Sequence, residues 1–169
     1  MTNYPAITLM PLAIDELNGL AQAKPAPRFA GAPDGALPPP HVAARALAQL
    51  EAGMAAFWCL PFVMVDDLSG QFVGGCTFKG VPANGEVEIA YGVAQSARGR
   101  GVATAAVARL LELAAGSGVI SRVVAEILPS NIASAKVVAR LGFTDQGSFV
   151  DTDGETVTRW TYMIAKGYE

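Results

Sequence analysis

Two stretches of the 169-residue chain hold residues whose type and spacing could do chemistry. The first, ARGRGVATAA over 97–106, alternates arginine with glycine and then continues in small uncharged residues. It lies between a strand-like run and a helix-like one. The first N–H groups of a helix lack carbonyl partners, and the helix dipole leaves partial positive charge there. An anion at that end is held by several N–H groups at once. Gly99 and Gly101 would let the backbone approach it with no Cβ in the way, and Ala103 and Thr104 continue the lack of bulk. Arg98 and Arg100 can add charge-assisted contacts, so a phosphate or pyrophosphate suits the pattern. Two phosphate motifs do not fit: no lysine follows the second glycine, and Thr104 stands where GxGxxG needs glycine. A plain strand-to-helix turn is the alternative use of these residues. The second stretch is GEVEIAYGVA, over 85–94. Strand alternation puts Glu86, Glu88, Ala90 and Gly92 on one face, and Val87, Ile89, Tyr91 and Val93 on the other. A carboxylate in mid-strand is costly unless paired or useful, which singles out Glu88, with Glu126 of SRVVAEIL in reserve.

The segment VEIAYGVAQSARGRGVATAAVARLL resembles the core motif of the GNAT superfamily of N-acetyltransferases, Arg/Gln-x-x-Gly-x-Gly/Ala, with Arg98, Gly101 and Ala103 at the three fixed positions. Downstream, NIASAKVVARLGF (131–143) is similar to the family's second signature, an asparagine opening a short helix that ends in Gly-Phe. Within the family, the strand and the second signature look most like the ribosomal-protein alanine N-acetyltransferase (Rim-type) branch. The match is specific from about Phe72 to Phe143 and weak before residue 56.

The resemblance implies acetyl-CoA as co-substrate and no metal. Its pyrophosphate would lie on the N–H groups of Arg98, Gly99, Arg100, Gly101, Val102 and Ala103, with Thr104. The pantetheine arm would run between two splayed parallel strands, 86–94 and 121–128, meeting the backbone of Gly92 and Val93 and the side chains of Asn131 and Ser134. Acetyl transfer needs an unprotonated amine, so a general base acting through water suits the step, and Glu88 is the candidate. A strand N–H near Val93 would stabilise the oxyanion. The tyrosine that many relatives carry as general acid is replaced by Val138, which leaves Ser134 or water to protonate the sulfur. Tyr91, Trp58, Phe78 and Trp160 read as core.

Around these residues the chain divides into a strand at 5–11, a helix from Ile14 to Ala23 and a loop or lid over 24–40 that holds six of the eleven prolines. A helix follows from His41 to Gly53. Strands are expected at Ala56–Val65, Gln71–Lys79, 85–94 and 121–128, helices at 100–115 and Asn131–Leu141, and closing strands near 143–150 and 156–165. That order makes an α/β fold, a mixed sheet with helices on both faces. The resemblance sharpens it to a mostly antiparallel seven-stranded twisted sheet, splayed between its two central parallel strands, in a single domain over 1–169.

Half the residues are hydrophobic, 16% are charged, and the formal net charge is −3, which suits a compact globule and argues against nucleic-acid binding. No apolar run is long enough to span a membrane, and MTNYPAITLM lacks the features of a signal peptide, so a cytoplasmic protein is expected. Cys59 and Cys76 sit in strand-like runs and read as buried thiols, although a cross-strand disulfide is conceivable. With His41 the one histidine and no CxxC, zinc is not expected. The acceptor is a small-molecule amine or a protein N-terminus. Its selectivity is expected from residues 14–60, including Arg28 and Phe29 of the loop. An exposed last strand could pair with a second copy to make a homodimer. The alternatives to an enzyme are a non-catalytic acyl-CoA-binding module and a nucleotide-phosphate binder without CoA.

Overall fold

The computed structural model describes residues 4–165, so both ends of the expected domain, 1–3 and 166–169, lie outside the described residues. Seven strands form one sheet: β1 (Ile7–Pro11), β2 (Phe62–Asp66), β3 (Phe72–Phe78), β4 (Glu86–Val93), β5 (Arg122–Ile127), β6 (Thr144–Val150) and β7 (Thr156–Met163). Their order across the sheet is β1-β2-β3-β4-β5-β7-β6. All neighbours are antiparallel except β4 and β5, which run parallel. The parallel pair is joined only at Glu86↔Arg122, Val87↔Val123 and Glu88↔Val124; beyond Glu88 the two strands part. This is the splayed mixed sheet that the motifs imply.

Among the described residues, five α-helices cover the sheet: α1 (Ile14–Ala21), α2 (Pro40–Glu51), α3 (Ala56–Cys59), α4 (Val102–Gly116) and α5 (Ile132–Leu141). Strand alternation sends adjacent side chains to opposite faces, and the two cores divide accordingly. Met64, Val87, Ile89, Val123 and Ala125 pack with Val107, Leu110 and Ala114 of α4. Val63 packs with Leu17 and Leu20 of α1 and Ala43 and Ala46 of α2 on the other face. Burying one Leu or Val side chain stabilises the fold by about 1.5–3 kcal/mol.

Three sequence expectations change. The run Ala56–Val65 is not one strand: Ala56–Cys59 is a helical turn, and β2 begins at Phe62. A short apolar run carries no period long enough to tell helix from strand, and Pro61 marks the break. Cys59 therefore sits on α3 and Cys76 on β3, both free and buried, and no cross-strand disulfide joins them. Second, the last strand has no open edge, because β7 lies between β5 and β6; the edge strand is β6. Third, the proline-rich segment is docked. Its turn Pro27–Phe29 buries Phe29 edge-on to Phe72 at 5.0 Å, and Ala36 is wholly buried. A Cβ on Gly75 of β3 would come within 3.0 Å of Pro38 Cγ, so glycine there is what lets the segment lie directly on the sheet.

Candidate active site

The splay opens a cavity of about 900 Å³ between the C-terminal half of β4, the start of α4 and the exposed face of α5. Backbone direction on β4 sets its chemistry. Ala94 N–H donates to Val73 O at 2.9 Å and Lys79 N–H to Glu88 O at 2.8 Å. The amides of even-numbered residues 88–94 therefore face β3, and those of 89, 91 and 93 face the splay. Of the two backbones expected to meet the pantetheine arm, Val93 turns its N–H into the gap. Gly92 spends its amide on the sheet and contributes open space, since a Cβ there would meet nothing within 4 Å.

At the start of α4, Gly99 and Gly101 take left-handed φ of 77° and 80°. Only glycine adopts that conformation without strain, and it turns the chain sharply into the helix. The first helical bond is Ala105 N–H to Gly101 O at 3.0 Å. Among the described residues, the N–H groups from Gly99 to Thr104 have no acceptor. Arg98 is different. Its own N–H donates to Gln95 O at 3.3 Å, and its Nε donates to Val93 O at 3.4 Å. Arg98 thus ties the glycine turn to β4, and the expected run of donors begins at Gly99. Arg98, Gly99, Gly101, Val102, Ala103 and Thr104 line the cavity, whereas Arg100 does not.

The opposite wall is α5. Asn131 caps it, its Oδ1 accepting the Ser134 N–H at 3.1 Å, and both residues line the cavity. Tyr91 crosses the splay and donates its hydroxyl to Ser134 O at 3.0 Å. Burial pushes the Tyr91 hydroxyl up to about 12, against an opposing pull from the Ser134 side chain. Val138 is fully buried and stands outside the site. Sequence reasoning missed Lys136 and Arg140, which also line the cavity. Ala133, Lys136, Val137 and Arg140 recur at helical spacing, so the face was legible once α5 was placed against the splay. No carboxylate pairs with either cation among the described residues.

A second cavity, of about 360 Å³, lies on the other face of the sheet. Its floor is Gly75, Thr77, Ala90 and Gly92, and its roof is Pro38, Pro39, His41 and Val42. It shares Tyr91, Gly92, Val93 and Arg98 with the larger cavity, so the two meet at the end of β4. Arg28 and Phe29 take no part in it. Arg28 pairs with Glu16, its Nη2 donating to Oε1 at 2.7 Å, while Phe29 is in the core. The roof comes from the segment's other end, together with His41, which sequence reasoning considered only as a metal ligand.

Glu88 lines neither cavity. It lies on the floor's face of β4, two residues before Ala90 and hence about 7 Å along the strand. Its Oε1 accepts from Lys79 Nζ at 2.7 Å. Glu86 is held by Arg159 at 2.7 Å and Arg122 at 2.9 Å. Burial, then the Glu88 charge, pushes the Glu126 carboxyl above its ordinary range, against the pull of Lys79 and Arg159. Among the described residues, no three His, Cys, Asp or Glu side chains gather as metal ligands.

Comparison with known proteins agrees with this fold. The sequence model of the acetyltransferase (GNAT) domain matches residues 6–144. No curated protein matches the chain. Among solved structures, Mycobacterium smegmatis RimJ in complex with CoA-disulfide has 25% identity and a TM-score of 0.65, over 93% of this chain and 81% of that one. The aminoglycoside acetyltransferase AAC(6')-Ib in complex with coenzyme A shares the fold at 18% identity and a TM-score of 0.67, over 94% and 95% of the two chains. A GNAT-family acetyltransferase from Bacillus anthracis shares it at 18% identity and a TM-score of 0.56, over 61% of this chain. There the match spans 65% of the relative's length, less than two thirds.

Proposed function

The chain belongs to the GNAT acetyltransferase family, and from that premise we propose that it transfers acetyl from acetyl-CoA to a primary amine by direct attack in a ternary complex. The observation that carries this reading is the meeting of the two cavities at Tyr91, Gly92, Val93 and Arg98. One cavity offers unpartnered amides and cations, as a pyrophosphate requires; the other offers a separate approach for an acceptor. Residues 1–169 act as one acetyltransferase domain. Two free thiols and the lack, among the described residues, of a helix able to cross a membrane fit a role in the cytoplasm.

The N–H groups from Gly99 to Thr104 would hold the pyrophosphate, with Arg98, Lys136 and Arg140 supplying charge. Asn131 and Val93 would hold the pantetheine arm. Bound acetyl-CoA supplies an activated acyl carbon and a thiolate leaving group. Glu88 takes the amine proton through water, and its Oε2 has no partner among the described residues to compete for that role. The Val93 N–H, facing the splay, donates to the acyl oxygen as negative charge develops there. The departing sulfur takes its proton from water relayed through Ser134 on the cavity wall, whose hydroxyl donates to the sulfur as it accepts from that water.

A binding module without turnover is the second reading, favoured by Val138, buried where many relatives carry the acid. The Glu88→Gln variant separates the two. Loss of amine-dependent thioester consumption with acetyl-CoA binding intact supports the enzyme. Absence of consumption in the wild-type protein and the variant alike, across an amine panel, supports the module.

A further inference from the structure

We propose that the smaller cavity selects a compact, largely apolar primary amine carrying a single charge and rejects polycations; this rests on the acetyltransferase reading above. Among the described residues, no aspartate or glutamate lines the cavity. Its walls include Leu37, Pro38, Val42, Pro61 and Ala90, and its polar lining side chains, Thr77, His41 and Arg98, carry no negative charge. Of the carboxylates on the same face of β4, Glu86 is held by Arg159 at 2.7 Å, and Glu88, about 7 Å along the strand from Ala90, stands outside the walls with Oε1 on Lys79 at 2.7 Å. A polyamine entering here gives up hydration on every charge and finds no counter-ion, which is costly for each. A monoamine desolvates one nitrogen. Apolar walls then shift that nitrogen towards its free base, the form that attacks, whereas a carboxylate lining would hold it as ammonium. The close seat of Pro38 over Gly75 limits the height of the cavity, and its volume of about 360 Å³ favours a compact body.

The test is kcat/KM by thiol release for 2-phenylethylamine and alaninamide against spermidine and kanamycin, at fixed ionic strength. The expected result is a preference of about tenfold or more for the monoamines. Val42→Glu adds a carboxylate to the wall in the first turn of α2, where negative charge is tolerated, and should move the spermidine-to-monoamine ratio about tenfold towards spermidine. Leu37→Glu replaces it if that variant fails to fold. Higher kcat/KM for spermidine or kanamycin in the wild-type protein overturns the inference and leaves acetyl transfer standing. A folded wall variant with an unchanged ratio also overturns it, because the acceptor then binds elsewhere. No transfer to any amine, with acetyl-CoA bound, overturns the acetyltransferase reading and the inference together.

Discussion

Glu126 feels the charge of Glu88, but burial is the main reason its carboxyl is pushed up. A raised carboxyl binds its proton more tightly in the folded state than in the unfolded one. Its contribution to stability is full below the ordinary glutamate range and is lost as pH rises through the raised value. Glu126→Gln should therefore match the wild-type melting temperature near pH 3 and exceed it near pH 7, a trend that thermal melts across this range would record. A constant offset would show that the charge is fully compensated by Arg159. Lys136 and Arg140 lead to a different expectation. Each lines the larger cavity without a carboxylate partner among the described residues, so replacing either by alanine should weaken acetyl-CoA binding by about 1.5 kcal/mol and flatten its salt dependence. Calorimetry at two salt concentrations measures both effects. These cations escaped a sequence reading because the motif names the glycine turn, while α5 reaches the cavity only through the parting of β4 and β5.

At the scale of elements, the site depends on how α4 begins. Gly101 holds φ at 80° as the residue before the helix, and a left-handed non-glycine residue costs about 1–2 kcal/mol. Gly101→Ala should lose about that much stability and also weaken acetyl-CoA binding, since relaxing the turn re-aims the amides from Gly99 to Thr104. Unfolding and binding titrations on the same variant test both. The turn and both flanking elements were legible because glycine and asparagine mark helix ends whatever the tertiary context. The proline-rich segment was legible only as non-helical. Its docking depends on the fit of Pro38 against Gly75, a contact between residues far apart in the chain. The helical turn α3 escaped for a related reason: its four residues are too few to show a period, and their burial is settled by Phe78. Both thiols are buried, Cys59 on α3 and Cys76 on β3, and burial pushes each above its ordinary range. Ellman's reagent should titrate Cys59 and Cys76 only on unfolding; rapid labelling of the native protein would contradict the packing.

Across the whole molecule, the sheet separates two binding problems and joins them at one point. The face carrying α4 and α5 holds anion-binding groups, and the face carrying α1 and α2 holds the small apolar cavity, with the end of β4 between them. The first half of this arrangement could be read in the sequence because a sharp turn with bare amides is backbone geometry, which a few glycines encode. The apolar half could not, because its walls come from the segment before α2, from the first turn of α2, from β3 and from β4, and only the fold brings them together. The account is tested most directly by incubating the purified chain with acetyl-CoA and 2-phenylethylamine and identifying the products by mass spectrometry alongside thiol release. It predicts N-acetyl-phenylethylamine and free CoA in equal amounts, with both greatly reduced in Glu88→Gln. Binding of acetyl-CoA with no acetylated amine, from this or any other primary amine offered, would contradict it.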